Sequence, residues 1–226
     1  MADTKISALP SATTPLAGTE LLPVVQAGAT KNVPASAFQA ALVPGTNIKT
    51  INGNSLLGSG DLTILGSGTK TYRTFTPLDN QPPAANFATL DTRNSVAVLD
   101  FDAATDESAV FVGSIPQGAT LTSGIKVIIS WSATSATSGD CVWGTQWEKT
   151  TGQDIDSDGF DTATTATTTT NAASGYINTT AITCTSIDSL AAGDCFRLKV
   201  YRNAAAAGDT MTGDVELIAV EIQGVA

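Results

Sequence analysis

The sequence of 226 residues contains no histidine. Histidine is the commonest general base and a common zinc ligand, so its absence disfavours enzymes and zinc sites built on it. The three cysteines, Cys141, Cys184 and Cys195, are odd in number and lack Cys-x-x-Cys spacing. This pattern excludes a disulfide framework and a metal knuckle. Two alternatives remain, namely buried free thiols or one disulfide with one free thiol.

Aromatic residues make up only 6% of the chain and charged residues 14%, whereas threonine, serine, alanine and glycine are abundant. This composition favours many short strands over long helices. Residues 1–70 hold four basic and three acidic side chains, so residues 71–226 carry a charge of −11 within the net charge of −10. Such an acidic region repels phosphate, and we therefore expect no nucleic-acid partner.

Long apolar runs are also missing. No stretch of the sequence approaches the roughly 20 apolar residues that a membrane span needs, and the N-terminal Met-Ala-Asp-Thr-Lys is not followed by the apolar segment of a signal peptide. The sequence therefore predicts no membrane insertion. It also predicts that a route other than secretion, such as lysis, delivers the protein outside a cell.

Residues 47–64 read as a β-hairpin that is too small to be stable alone. The turn-forming segments Asn52-Gly53-Asn54 and Gly58-Ser59-Gly60 accept positive φ and separate short apolar strands. Two such strands bury too little surface to offset their ordering entropy, and identical copies of the chain are the simplest partners. The apolar residues of this predicted interface are Ile48, Ile51, Leu56, Leu57, Leu62 and Ile64.

Residues 1–46 contain five prolines, which break any long helix. Leu21–Gln26 resembles an edge strand bent at its proline. The region has many apolar side chains but too little length for a core of its own, so docking against another protein is the economical arrangement. The predicted docking residues are Ile6, Leu9, Leu21, Leu22, Val24 and Val25.

Two strings carry a resemblance to bacteriophage virion proteins. Lys-Ile-Ser-Ala-Leu-Pro, continued by Thr-Thr-Pro-Leu-Ala-Gly-Thr-Glu-Leu-Leu-Pro-Val-Val-Gln, is similar to the N-terminal docking segment of phage fibres. Ile-Asn-Gly-Asn-Ser-Leu-Leu-Gly-Ser-Gly-Asp-Leu resembles a segment of intertwined trimeric shafts. The resemblance covers roughly the first 65 residues. It implies an N-terminus docked to other virion proteins, a homotrimer formed through residues 47–65, and no distinction between tail and head attachment.

Residues 66–70, Gly-Ser-Gly-Thr-Lys, indicate a flexible linker, and residues 71–226 indicate a head domain. Short apolar or alternating runs separated by turn residues predict about eight strands there. The fold class is therefore predicted as all-β, an antiparallel sandwich of jelly-roll type. The predicted strands are 95–101, 109–113, 125–131, 141–147, 176–184, 196–202 and 215–222. The threonine-rich tract 161–170 is typical of a long exposed loop or an edge strand.

Asp154, Asp156 and Asp158 place three carboxylates at alternating positions before Gly159. Oxygen ligands in this arrangement suit Ca²⁺, with the glycine forming the sharp turn. Thr165 stands where an EF-hand has its bidentate glutamate, so the complete motif is excluded. The alternative is an acidic solvated turn without a metal.

Trp143 and Trp147 are four residues apart and face the same side of a straight strand. With Trp131 they fit either of two interpretations. One is a platform on which sugars stack, and the other is the core of a sandwich that has few other aromatics.

The sequence therefore predicts a non-enzymatic virion structural protein without a required cofactor. It is expected to be a trimeric appendage on the particle surface that binds a host-surface glycan or receptor through its sandwich. A head fibre or capsid decoration protein without receptor binding is the first alternative. A polysaccharide depolymerase is the second, and a cellular carbohydrate-binding module is the third.

Overall fold

The computed structural model describes residue 19, residues 21–39 and residues 70–225. Contacts divide the chain into two units, Met1–Ser67 and Gly68–Ala226. The boundary falls inside the predicted linker. The predicted interface residues between Ile48 and Ile64 lie outside the described residues, and so do Ile6 and Leu9.

The first unit contains a hairpin formed by strands β1 (Leu21–Gln26) and β2 (Ala29–Pro34), followed by the short helix α1 (Ser36–Gln39). Ala27 and Gly28 connect the strands with φ values of 53° and 76°. Positive φ at both central residues is the geometry of the tight turns that suit hairpins. The strand predicted at residues 21–26 is present, and its proline does not interrupt pairing with β2.

The second unit consists of short strands joined by turns, with a single 3-10 turn at Pro77–Asp79 among its described residues. All pairings between its strands are antiparallel. The strands are β3 (Thr71–Phe75), β4 (Thr89–Arg93), β5 (Val96–Phe101), β6 (Ser108–Ser114), β7 (Ile125–Ala133), β8 (Asp140–Lys149), β9 (Thr164–Thr169), β10 (Asn178–Cys184), β11 (Cys195–Arg202) and β12 (Val215–Gly224).

Strands β5 to β12 follow the jelly-roll order. One sheet runs β10-β7-β12-β5 and continues to β4, and the other runs β6-β11-β8-β9. Successive strands of the chain thus alternate between sheets, except at β8–β9, as two interleaved Greek keys require. Strand β3 pairs with the second half of β12, beside the part that pairs with β5. The predicted jelly-roll-type sandwich is confirmed.

The core lies between the two sheets. Strand β11 alternates buried and partly exposed residues along its whole length, and β10 does the same. The alternation places one face of each strand against the other sheet. Aromatic rings fill the centre: Trp143 contacts Phe101 with ring centroids 5.1 Å apart, and Trp147 contacts Phe196 at the same distance. This packing stabilises a sandwich that has few aromatic residues to use.

A buried ion pair fixes the long connection between β11 and β12. Arg202 is fully buried, and its Nη2 and Nε atoms donate to Asp209 at 2.7 and 3.1 Å. Its remaining donors bind the carbonyl oxygens of Gly213 and Met211. Each nitrogen of the guanidinium therefore has a partner, which is the condition for tolerating a charge in an apolar interior.

Candidate functional site

The outer face of the β6-β11-β8-β9 sheet carries a half-buried aromatic ring that forms a platform. Alternation along β11 points Phe196, Leu198 and Val200 into the core and leaves Lys199 and Tyr201 on the outside. Tyr201 lies opposite Gly144 of β8 in the sheet register.

The Tyr201 ring lies over that glycine. A Cβ atom at residue 144 would overlap the Cζ and Cε1 atoms of the ring. The ring therefore rests on the sheet in space that any other residue at position 144 would fill. The Lys199 ammonium lies over the same ring, 5.4 Å from its centre, so a ligand that reaches the ring also meets this ammonium.

A groove of about 490 Å³ surrounds this platform. Its floor contains Tyr201, Lys199 and Gln146 from the two central strands. Pro83, Ala85, Asn86 and Asp106 line one side. The volume falls within the roughly 300–1,000 Å³ range of small-molecule sites.

Phe160 and Ala163 close the other side of the groove. Arg197 holds Phe160 in position, because its guanidinium carbon lies 5.2 Å from the centre of the Phe160 ring. The same guanidinium donates from Nε and Nη2 to the fully buried carboxylate of Glu148, with the Nε bond at 3.0 Å. The charge of Arg197 is therefore neutralised, and its plane supports the rim of the groove.

The polar groups of the groove are of both kinds, donors and acceptors. The Lys199 ammonium lies 5.4 Å from the centre of the Tyr201 ring and forms no ion pair with the described residues. Asp106 accepts a hydrogen bond from the Ala205 amide through Oδ1 at 3.0 Å. Gln146 donates through Nε2 to a carbonyl oxygen at 3.1 Å, so its Oε1 atom remains available to accept. Burial and the nearby Asp106 carboxylate raise the pKa of Tyr201, which keeps the phenol neutral.

The tryptophans predicted to stack on sugars are core residues. Trp143 and Trp147 face the same side of β8, as expected, but both have zero exposure. They occupy inward positions of the strand and pack against aromatic rings of the core. The prediction of a glycan-binding surface at these two residues is wrong, because no ligand reaches them.

The acidic turn does not assemble a calcium site. Asp154 and Asp158 cap the local backbone instead: Oδ1 of Asp154 accepts from the Asp156 amide at 3.1 Å, and Oδ1 of Asp158 accepts from the Gly159 amide at 2.9 Å. Across residues 21–39 and 70–225, no group of three or more His, Cys, Asp or Glu side chains is placed to hold a metal. The predicted Ca²⁺ site at Asp154, Asp156 and Asp158 is therefore wrong, and the turn is acidic and largely exposed, although the Oδ2 atom of Asp158 is buried.

The three cysteines are free thiols in the structure. Cys141 and Cys184 are buried, and burial raises the pKa of both thiols. Cys195 is exposed. The structure therefore corresponds to the free-thiol alternative, with one thiol on the surface rather than inside.

The β1–β2 hairpin presents part of the predicted docking surface. Leu21, Leu22 and Val25 are 60%, 38% and 76% exposed, and Val24 is half-buried. These apolar side chains are available to a partner.

Sequence reasoning missed Tyr201, Lys199 and Phe160. A signal for the first two was present, because the predicted strand 196–202 alternates apolar residues with Arg197, Lys199 and Tyr201. An aromatic side chain on the polar face of such a strand is expected to lie outside the core. The position of Phe160 depends on a loop and carries no comparable signal.

Comparison with known proteins adds little to this description. No protein-family profile and no curated protein matches the chain. Among solved structures, the chain is similar to a protein described as a family 30 carbohydrate-binding module, with 8% identity and a TM-score of 0.36 over 71% of this chain and 90% of that one. This resemblance is remote, and the fold assignment rests on the strand order. Among the described residues, no helix is long and apolar enough to cross a membrane.

Proposed function

We propose that the protein is a structural appendage of a bacteriophage particle that attaches to a host-surface glycan through its jelly-roll unit. Its N-terminal segment docks to other virion proteins, and residues 47–65 join three copies. The groove over Tyr201 holds the glycan. No step of this function requires catalysis.

The observation that carries the glycan proposal is the Tyr201 ring lying on the sheet above Gly144. The C–H face of a sugar ring packs well on a flat aromatic surface, and the sugar hydroxyls then reach polar groups at its edges. The Lys199 ammonium lies over the ring, and Gln146 and Asp106 line the same groove. The groove combines these two requirements on the outer surface of the unit.

The exposed apolar residues of the β1–β2 hairpin support the docking part of the proposal. Leu21 and Val25 together present a surface that is unfavourable in water unless it is covered. The resemblance of residues 1–46 to phage docking segments indicates that the partner is another virion protein.

Trimer formation would make a weak glycan site effective. Each groove offers a small contact area, so single-site affinity is expected to be modest. Three linked sites on one appendage, and several appendages on one particle, raise the overall avidity without any new contact.

The glycan proposal is tested with a printed panel of bacterial and mammalian glycans and the full-length protein. Tyr201→Ala should abolish binding, because it removes the platform. Tyr176→Ala is the matched control, since that tyrosine is 63% exposed and does not line the groove. Retained binding by Tyr201→Ala, or equal loss in both variants, would refute the assignment of the groove.

The virion proposal is tested separately, by deleting residues 2–46 in the phage genome. The shortened protein should fold but be absent from purified particles. Its normal incorporation would exclude docking through this segment. Particles that carry Tyr201→Ala and adsorb normally to their host would favour a decoration protein without receptor binding.

The trimer is tested by light scattering on the purified protein. A mass of about three times the chain mass of 23.0 kDa is expected. Ile51→Asp should lower that mass, because it places a charge in the predicted interface. A monomer at micromolar concentration would contradict the proposal.

A further inference from the structure

The groove contains one ammonium and one carboxylate, and the sheet register places them on opposite sides of the platform. Tyr201 pairs with Ser108, and Lys199 pairs with Val110. Because β6 and β11 are antiparallel, Asp106 comes two residues beyond the Ser108 row, on the side away from Lys199. The hydrogen bond from the Ala205 amide to Asp106 confirms that it lies there.

Both charged groups have hydrogen-bonding capacity left for a ligand. Asp106 uses Oδ1 for the Ala205 amide, so its Oδ2 atom is available to accept. Lys199 forms no ion pair with the described residues, and its ammonium lies over the Tyr201 ring, where it can donate to a ligand that enters above the ring. A ligand on the ring therefore meets a donor at one end and an acceptor at the other.

A sugar hydroxyl can both donate and accept one hydrogen bond, so an uncharged sugar satisfies both ends of the platform. A carboxylate can only accept. A sugar acid would be attracted to Lys199 but repelled by Asp106, and the net charge of −10 on the chain would oppose the approach of a polyanion.

We infer, on the basis of the proposed glycan function, that the groove selects uncharged glycans. Asp106 and Lys199 bind hydroxyl groups at opposite ends of the sugar that rests on Tyr201. The groove discriminates against uronic and sialic acids through the Asp106 carboxylate.

The test uses the full-length protein and a defined set of oligosaccharides. The uncharged probes are cellotriose, maltotriose and N,N′-diacetylchitobiose, and the acidic probes are trigalacturonate and 3′-sialyllactose. Binding is measured by ligand-observed NMR and titration calorimetry. At least one uncharged probe should bind, and its affinity should change less than about twofold between low and high salt, because no ion pair is formed.

Asp106→Asn and Lys199→Met should each lower the affinity for the uncharged probe by about tenfold, which corresponds to about 1.4 kcal/mol. Asp156→Asn and Lys126→Met are the matched controls. Neither control residue lines the groove, and both variants should bind normally. Asp106→Asn should also narrow the gap between acidic and uncharged probes, because it removes the repulsion.

The outcomes separate this inference from the proposed function. In one outcome, an acidic probe binds more tightly than the uncharged probes, loses affinity as salt is added, and loses binding in Tyr201→Ala. That result would overturn the inference but leave the glycan site in place. If Asp106→Asn leaves the preference unchanged, the role assigned to the carboxylate is wrong. If none of the probes binds, both the inference and the proposed glycan function are rejected for these sugar classes.

Discussion

The sheet formed by β6, β11, β8 and β9 uses aromatic residues differently on its two faces. On the inner face, Trp143 and Trp147 are fully buried and pack edge-on against phenylalanine rings. On the outer face, the half-buried Tyr201 ring lies above Gly144 and lines the groove. The two faces are made by alternate residues of the same strands, so a shift of one position decides whether a ring stabilises the fold or meets a ligand.

The two faces also treat arginine differently. Arg202 points inward from β11, has zero exposure and is held by Asp209 and two carbonyl oxygens. Arg197 points outward from the same strand, pairs with Glu148 and supports Phe160. The inner-face arginine is therefore cut off from water, whereas the outer-face arginine is partly exposed and also supports a residue of the groove. The following predictions test that distinction.

Trp147→Ala should give the largest loss of stability. Removing a fully buried tryptophan is expected to cost about 3–5 kcal/mol, because the large cavity it leaves cannot collapse between two sheets. Tyr201→Ala on the outer face should cost only about 1 kcal/mol, since one side of the ring already faces outward. Urea unfolding followed by tryptophan fluorescence and circular dichroism measures both. Similar losses in the two variants would break the proposed division between faces.

Arg202→Met should also cost about 3–5 kcal/mol, because it leaves the Asp209 carboxylate buried without its partner. The Val142 amide still donates to Asp209, at 3.0 Å, and offsets little of that loss. Arg197→Met on the outer face is the matched comparison. Its loss should be smaller but still substantial, because Glu148 is fully buried and loses its hydrogen-bond donors, while the opening left by the 34% exposed Arg197 side chain admits water. An equal loss in the two variants would show that burial of the arginine does not set its importance.

Gly144→Ala should weaken glycan binding by about tenfold or more, the equivalent of about 1.4 kcal/mol, with little loss of stability. The added methyl group overlaps the Tyr201 ring, so the ring must lift from the sheet. Gly118→Ala is the control, since nothing lies within 4 Å of the added methyl group. Unchanged binding by Gly144→Ala on the same panel would mean that binding does not need the ring to lie close to residue 144.

Much of this fold could be predicted from the sequence because the buried strands are local patterns. Strands such as β7, β11 and β12 have apolar alternation that identifies them directly. Strands β3 and β4 were missed, because Thr71–Phe75 and Thr89–Arg93 are largely polar and exposed. The tract at 161–170 was left between a loop and an edge strand. It forms the edge strand β9, with alternate threonines exposed.

The candidate site was less accessible to sequence reasoning. The outward position of Tyr201 follows from alternation within one strand. The position of its ring over the sheet does not, because it requires Gly144 to lie opposite, and that register joins residues far apart in the chain. A prominent sequence motif also led to a wrong prediction. Asp154 to Asp158 have calcium-like spacing, yet the backbone of the turn takes up two of the carboxylates through local hydrogen bonds.

Asp100→Asn should have the smallest effect on the free energy of unfolding. The residue lies on the outer face of the larger sheet, so this variant extends the comparison to that sheet. Burial, reinforced by the negative charges of Asp214, Glu216 and Asp91, raises the pKa of Asp100 to about 6. The folded protein therefore binds a proton that the unfolded chain releases near pH 4. The protonated Asp100 therefore makes its full contribution to the free energy of unfolding below about pH 4. This contribution is lost as the pH rises through about 6.

At pH 7 the ionised Asp100 is consequently destabilising, and Asp100→Asn should raise the free energy of unfolding. The full pKa shift corresponds to about 3 kcal/mol, but the side chain is half-buried and water screens it, so about 1 kcal/mol is expected. The gain should vanish at pH 3.5, where the wild-type carboxyl is already protonated. Thermal unfolding of both proteins across this pH range measures the difference. Asp156→Asn is the control, and a gain that persists at pH 3.5, or one shared by the control, would show that the charge of Asp100 is not its cause.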